Sequence, residues 1–476
     1  MLQQLYHRCR RGFVMRPLAG SLTAFSAAQG VSLAAGLLLH ATAARFLTVA
    51  DYGRLAVTHS VLLVMLVALN HGIPNALRRA VSLEPALLGA AWRRLLTLHL
   101  PLAVGAAVLV AVGAPWAAIL FGDPLLTDAL RVVAADVALR AGVVEPGWLL
   151  LNGAGRHRLQ AALMATHSLC RCAAVAGVLA LGYGLIGAVT GMVLASALNV
   201  LLVVNVLPVR SHRHPKRERE GTNEELADAA GYKVGRDRRA ISDSPFAVKD
   251  LLRWLRLAPA ANLIHHVAVA GNLWLAKALT SDAEAVGVYA ACYMLASTLL
   301  PTSAILSATC FRRVAGLVQS EPAAAAKILR TVLGGACLLT FVSIIAISLC
   351  GGPLLRFVFG DAFAGATRLL LLIWLGMTGT ALTWFFCEML AAAQALTVRL
   401  WAAIWSGIGS AVATTVLLPL GGLPGAAAGL LVGSILGVVL SGAALYRIVG
   451  GLWPTMPFMN RVSPNREDHS RPEESP

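Results

Sequence analysis

The chain has 476 residues and a formal charge of +16, with 58% hydrophobic and only 13% charged residues. Soluble domains carry about a quarter charged residues, so no single water-soluble core accommodates this composition. Its hydrophobicity comes in blocks of about 20 residues, the length that crosses a bilayer. Basic residues cluster between the blocks, which excludes nucleic-acid binding as the meaning of the charge.

The first block follows Arg8, Arg10, Arg11 and Arg16, and Ala41-Thr42-Ala43-Ala44 resembles a cleavage site. The run from Pro17 to Ala44 is far longer than a signal h-region and reads as an uncleaved first membrane helix. Block counting predicts an all-α polytopic protein with twelve spans at 18–44, 55–74, 95–121, 130–151, 159–182, 185–207, 257–278, 286–310, 328–352, 366–390, 400–420 and 424–447. Residues 1–207 form a six-helix lobe, 208–256 a charged cytoplasmic linker, 257–450 a second six-helix lobe and 451–476 a disordered cytoplasmic tail. Within the linker, Ala247 to Leu257 has helical spacing and reads as a helix on the membrane surface. The eight cysteines are scattered as packing residues, and neither metal nor cofactor is expected.

Placing the N-terminus inside puts 31 of the 39 basic residues on the cytoplasmic side. Six lie near the outer face (Arg45, Arg54, Arg131, Lys277, Arg356, Arg368) and two within spans, Arg140 and Arg171. Both termini are therefore expected in the cytoplasm, in the cytoplasmic (inner) membrane.

The chain also repeats itself at half length. Phe121-Gly122-Asp123 recurs as Phe359-Gly360-Asp361, and Gly184, Gly187 and Gly191 recur as Gly422, Gly425 and Gly429, all at an offset of 238. Arg45-Phe46-Leu47-Thr48 is echoed by Lys277-Ala278-Leu279-Thr280, and Gly53 by Gly287. Six helices per copy enter the membrane in the same sense, so the copies form parallel-repeat lobes around a central cavity. The Phe-Gly-Asp motif reads as a turn in which glycine breaks one helix and aspartate caps the next. The glycine triplets read as close helix packing.

Charges inside the spans mark candidate chemistry, because each is costly there unless it faces protein or water. Arg140, Arg171 and His167 read as a cationic cavity for an anionic substrate, since arginine's fork suits phosphate. Asp136 lies one turn from Arg140, so a self-satisfied Asp136–Arg140 pair is the structural alternative, whereas Arg171 has no acid within a turn. Arg45 and Lys277, at matching helix ends, read either as residues reaching to headgroups or as symmetric gate contacts for the same anion. Asp136, Glu145 and Glu388 are candidates for ion coupling. In strict register Asp136, Arg140 and Arg171 fall on the uncharged Trp374, Thr378 and Gly409, so buried charge is expected to be asymmetric, with the substrate's anionic group held by the first lobe.

Arg45-Phe46-Leu47 with Asp51-Tyr52-Gly53, the stretch Asn70 to Arg79, Leu151 to Arg156, Val286 to Ala290 and Gly422 to Ala427 resemble landmarks of Wzx-type polysaccharide flippases. Those belong to the multidrug/oligosaccharidyl-lipid/polysaccharide exporter superfamily. The resemblance implies two facing lobes and transport of a polyprenyl-diphosphate-linked oligosaccharide by alternating access. The implied partners are that lipid-linked glycan, membrane lipids, and a polysaccharide polymerase with its chain-length and export proteins. A MATE-like or other drug or metabolite exporter is the alternative. A membrane polymerase or transferase is disfavoured by the short outer loops, so no enzyme activity is expected.

Overall fold

In the computed structural model, residues 27–207 and 245–449 are described. The predicted tail and most of the predicted linker (208–244) lie outside them. All regular structure among the described residues is helical. The first lobe comprises α1 (Ala27–Phe46), α2 (Val49–Asn70), a short α3 (Ile73–Leu83), α4 (Pro85–Leu120), α5 (126–153), α6 (His157–Ala180) and α7 (Gly184–Val206). The second comprises α8 (Pro245–Leu279), α9 (283–320), α10 (Pro322–Phe359), α11 (Thr367–Ala392), α12 (396–421) and α13 (422–449). Apart from α3, each lobe has the six long helices that the repeat implies.

Nine described stretches are long and apolar enough to cross a membrane, and the chain is a multi-pass membrane protein. One of the nine, Leu396–Val449, contains both α12 and α13, which break at Gly422 with φ +60°. Helix α5 stays outside that set because Asp128, Arg131, Asp136, Arg140 and Glu145 interrupt it.

Helices outrun the hydropathy blocks. Helix α2 begins at Val49, six residues before the predicted start, because the Thr48 hydroxyl accepts from Asp51 N at 3.1 Å. Such a cap contributes about 1 kcal/mol. Helix α4 starts at Pro85 and carries Arg93 and Arg94 through its first turns. The predicted surface helix at 247–257 is not separate; it is the start of α8. Hydropathy marks where side chains enter the bilayer, whereas the backbone keeps its hydrogen bonds beyond that depth.

The bundle has two unlike ends. At the linker end, α7 stops and α8 begins; at the far end lie the turns at 47–48, 121–125 and 280–282. Toward the far end one apolar core spans both lobes, drawing on α1, α2, α5, α8, α9 and α11. Toward the linker end it divides into two clusters. One is confined to the first lobe, around Trp92, Leu150 and Leu163; the other is confined to the second, around Phe385, Met389 and Leu445.

Contact between lobes runs through α2, which packs on α8 and α9. Gly53 and Gly287, matched in the repeat, meet there. A Cβ on Gly287 would stand 2.0 Å from the Val49 carbonyl oxygen, and one on Gly53 would stand 3.0 Å from Gly287 Cα. Tyr52, fully buried, sits edge-on to Phe359 and Phe363 of the second lobe at 5.8 and 5.9 Å. Midway along, Trp274 Nε1 donates to Ser60 Oγ at 2.7 Å. The glycine triplets divide by role. Gly191 approaches the Val175 backbone of α6 and Gly429 that of Thr414 in α12, as expected. A Cβ on Gly184 or Gly422 would meet no neighbour, and these two instead take φ of +58° and +60° where their helices begin.

Candidate functional site

The first-lobe polar cluster is set by a local departure from α-helix. Residues Arg140–Val144 form a π-helical turn inside α5. The wider turn brings Arg140 over Glu145, five residues on, and Arg140 Nη2 donates to Glu145 Oε1 at 2.7 Å. Asn70 at the end of α2 donates to the other carboxylate oxygen at 2.7 Å. A second π-turn, Leu95–His99, lies alongside in α4. From it, His99 Nε2 bonds the Ala141 carbonyl at 2.9 Å.

The alternative of a self-satisfied Asp136–Arg140 pair is therefore not what forms. Asp136, fully buried, instead accepts from Ser196 of α7 and pairs with Arg171 of α6 at 3.7 Å. Arg171 also donates to Met192 Sδ at 3.0 Å. Arg171 thus has an acidic partner, supplied by a neighbouring helix and not by its own. His167 is buried beside them, edge-on to Trp148 at 5.5 Å. Two arginines balance two carboxylates, so the cluster is not the net cationic patch expected from the sequence. Its arginines are nevertheless not saturated. Arg140 Nε and Nη1 and Arg171 Nε are buried without acceptors.

The structure separates Arg45 and Lys277 from this cluster and places them at the far end. Lys277, 5% exposed, reaches across the lobe boundary to Asp123 Oδ2 at 2.7 Å. Arg54 donates to the same oxygen at 2.8 Å and to Asp51 at 2.7 Å. Arg45 crosses in the opposite direction and donates to the Phe357 carbonyl at the end of α10. Both basic residues therefore engage protein acceptors of the opposite lobe. Asp123 is a cross-lobe counter-ion, a correction to its expected role as a helix cap. Burial opposes its ionisation, but the hydrogen bonds and charges of Lys277 and Arg54 outweigh that and hold its carboxyl below the usual range. Its repeat mate Asp361 pairs with Arg356, and both side chains are exposed.

In the second lobe, Glu388 is held by Arg399 at 2.6 Å, and Arg399 also donates to Asn262 of α8. Arg399 is 4% exposed. Sequence reasoning assigned it to the basic flank of a span and missed it. The expected asymmetry of buried charge is thus smaller than the register implied: each lobe has an Arg–Glu–Asn group. The second was invisible in register because its arginine comes from α12, not from α11, the repeat mate of α5. Arg54 was missed too, although its spacing from Asp51 was a usable signal. All three coupling candidates, Asp136, Glu145 and Glu388, are engaged by arginines.

Known proteins agree with this architecture. Residues 43–222, most of the first lobe, match the sequence profile of the family described as polysaccharide biosynthesis protein. A search of curated proteins finds no match. Among solved structures, the lipid II flippase MurJ in an inward closed conformation superposes with a TM-score of 0.63 at 12% identity, covering 89% of each chain. An inward-facing multidrug resistance MATE family transporter of the MOP superfamily gives 0.61 at 16% identity, covering 90% of this chain and 95% of that one. The Vibrio cholerae MATE transporter VcmN gives 0.57 at 11% identity, covering 92% and 98%. At these identities the shared property is the fold, which is that of the MATE and MurJ transporters.

Proposed function

From that fold, and from a first lobe that matches polysaccharide biosynthesis proteins, we propose that the chain moves a polyprenyl-diphosphate-linked oligosaccharide across the cytoplasmic membrane. The observation that carries this reading is the placement of unsaturated arginines where the single core divides in two. Along α5 the shared core runs to Ala141 and the first-lobe core begins at Val143, so Arg140 stands at the division. Glu145 and Asp136 hold the guanidinium groups in place and leave three donor nitrogens for phosphate oxygens. The glycan crosses between the lobes while the lipid stays in the bilayer. With the linker end cytoplasmic, this conformation is closed to the outside, and Asp123, Lys277, Arg54 and Arg45 form the outer closure.

Removing the gene and extracting membrane lipids tests the reading. A polyprenyl-diphosphate glycan should accumulate on the cytoplasmic leaflet, and unchanged lipid and polymer pools would overturn it. The MATE neighbours favour a second reading, export of small drugs. That reading instead expects greater drug sensitivity in the same strain and unchanged lipid pools.

A further inference from the structure

The second lobe contains a crevice lined by Asn262 and His265 of α8, Trp384 and Cys387 of α11, and Arg399 of α12. His265 is 7% and Arg399 4% exposed. Arg399 Nη2 is taken by Glu388 and Asn262, but Arg399 Nε, Trp384 Nε1 and His265 Nε2 lack partners. Buried nitrogens of this kind are rare, because each loses water and gains no acceptor in return. Arg399 Nε and Trp384 Nε1 are donors only, and His265 Nε2 donates in the matching tautomer. Three such groups, from three helices that line one crevice, lack an acceptor among the described residues.

The charge around the crevice narrows the chemistry of a fitting acceptor oxygen. Glu388 already neutralises Arg399, so a phosphate arriving at Arg399 would meet a carboxylate on the same guanidinium. A hydroxyl or an amide carbonyl brings no net charge and meets no such repulsion. The first-lobe arginines are neutralised by carboxylates in the same way, so the two sites differ in donor number: Arg140 and Arg171 together leave three donor nitrogens without acceptors, whereas Arg399 leaves one.

We propose that this crevice is a subsite for an uncharged sugar residue, one of whose hydroxyl or amide oxygens accepts from Arg399, Trp384 and His265. The inference rests on the reading above, which supplies a glycan to this face of the second lobe. The crevice is closed to water-sized molecules here, so a sugar enters by displacing the Trp384 ring, which packs against His265 and His266 at 5.0 and 5.1 Å. The substrate would then span the lobes, its diphosphate on the first and a sugar on the second.

The test uses the full chain in lipid nanodiscs, with the uncharged disaccharides diacetylchitobiose and maltose and with inorganic pyrophosphate as probes. Hydrogen exchange is followed in peptides covering 258–266 and 384–403. At least one disaccharide should slow exchange there and pyrophosphate should not. Trp384→Phe keeps an aromatic ring, smaller than the indole, but removes the Nε1 donor, and should weaken the sugar effect about fivefold, the loss of one ordinary hydrogen bond. Protection by pyrophosphate, protection by neither sugar, or equal sugar protection in Trp384→Phe would each overturn the subsite. Those results leave the transport reading standing if the gene deletion still accumulates a lipid-linked glycan. The transport reading falls separately if it does not.

Discussion

The two lobes share a fold but arrive at their polar groups by different routes. In the first, a π-turn in α5 swings Arg140 onto Glu145, and Asn70 of α2 completes the group. In the second, Arg399 of α12 descends onto Glu388 of α11, and Asn262 of α8 completes it. The residue types agree, yet the positions do not follow the 238-residue offset that relates the turns and glycines. Duplication has preserved what packs, while the buried ion pairs have been rebuilt. The first lobe also has a second buried pair, Arg171 with Asp136, whereas among the described residues of the second lobe the further arginine–carboxylate pair, Arg356–Asp361, is exposed. That surplus is why the diphosphate is assigned to the first lobe.

The comparison breaks most easily at the pairs themselves. Glu145→Gln strands Arg140 in a buried site, and removing one partner of such a pair costs about 3–5 kcal/mol. Folded yield in detergent should collapse, and Glu388→Gln should do the same through Arg399. The double variant R140M/E145L removes both charges and should recover most of the folded yield without recovering transport. Recovery of transport as well would show that the first-lobe pair is architecture alone.

The lobe boundary comes next in size. Gly287→Ala drives a methyl into the Val49 carbonyl, where overpacking costs about 1–3 kcal/mol. Separating the lobes at the far end relieves it. A cysteine placed at Val57 should therefore become reactive to an impermeant maleimide added outside, and continued protection would argue against a far-end closure.

A smaller effect is expected from acid. Asp123 is ionised below the usual carboxylate range, so its contribution to closure is complete above the unfolded value of about 3.9 and lost as pH falls through the lower folded value. Maleimide reactivity at position 57, divided by that of a free cysteine at the same pH because only the thiolate reacts, should thus stay flat from neutral pH down to about 4 and rise only below it. Asp123→Asn should give the acid level of labelling at neutral pH. The smallest effect belongs to the repeat mate. Asp361→Asn breaks an exposed pair with Arg356 worth less than about 1 kcal/mol and should leave labelling unchanged.

The scaffold was legible in the sequence because bilayer thickness fixes span length and small residues fix helix contacts. The twelve long helices, the positions of the Phe-Gly-Asp turns and the close packing at Gly191 and Gly429 followed from those two constraints. The ion pairs were not legible, for a definite physical reason. Spacing rules assume an α-helix with four-residue neighbours, which pointed Asp136 at Arg140. A π-turn moved Arg140 to a neighbour five residues on, and Asp136 turned to another helix. Pairings between helices, such as Arg171–Asp136, Lys277–Asp123 and Arg399–Glu388, depend on rotation and depth that hydropathy does not record. Arg399 was hidden further by its place four residues into α12, where basic flanks are common.

The most direct measurement is transbilayer movement of a purified polyprenyl-diphosphate glycan in proteoliposomes, comparing the natural chain with R140M/E145L at equal folded protein. The natural chain should deliver glycan to the opposite leaflet and the double variant should not. Equal movement by both, or none by the natural chain, would contradict the claim that the first-lobe arginines carry the headgroup of a lipid-linked glycan.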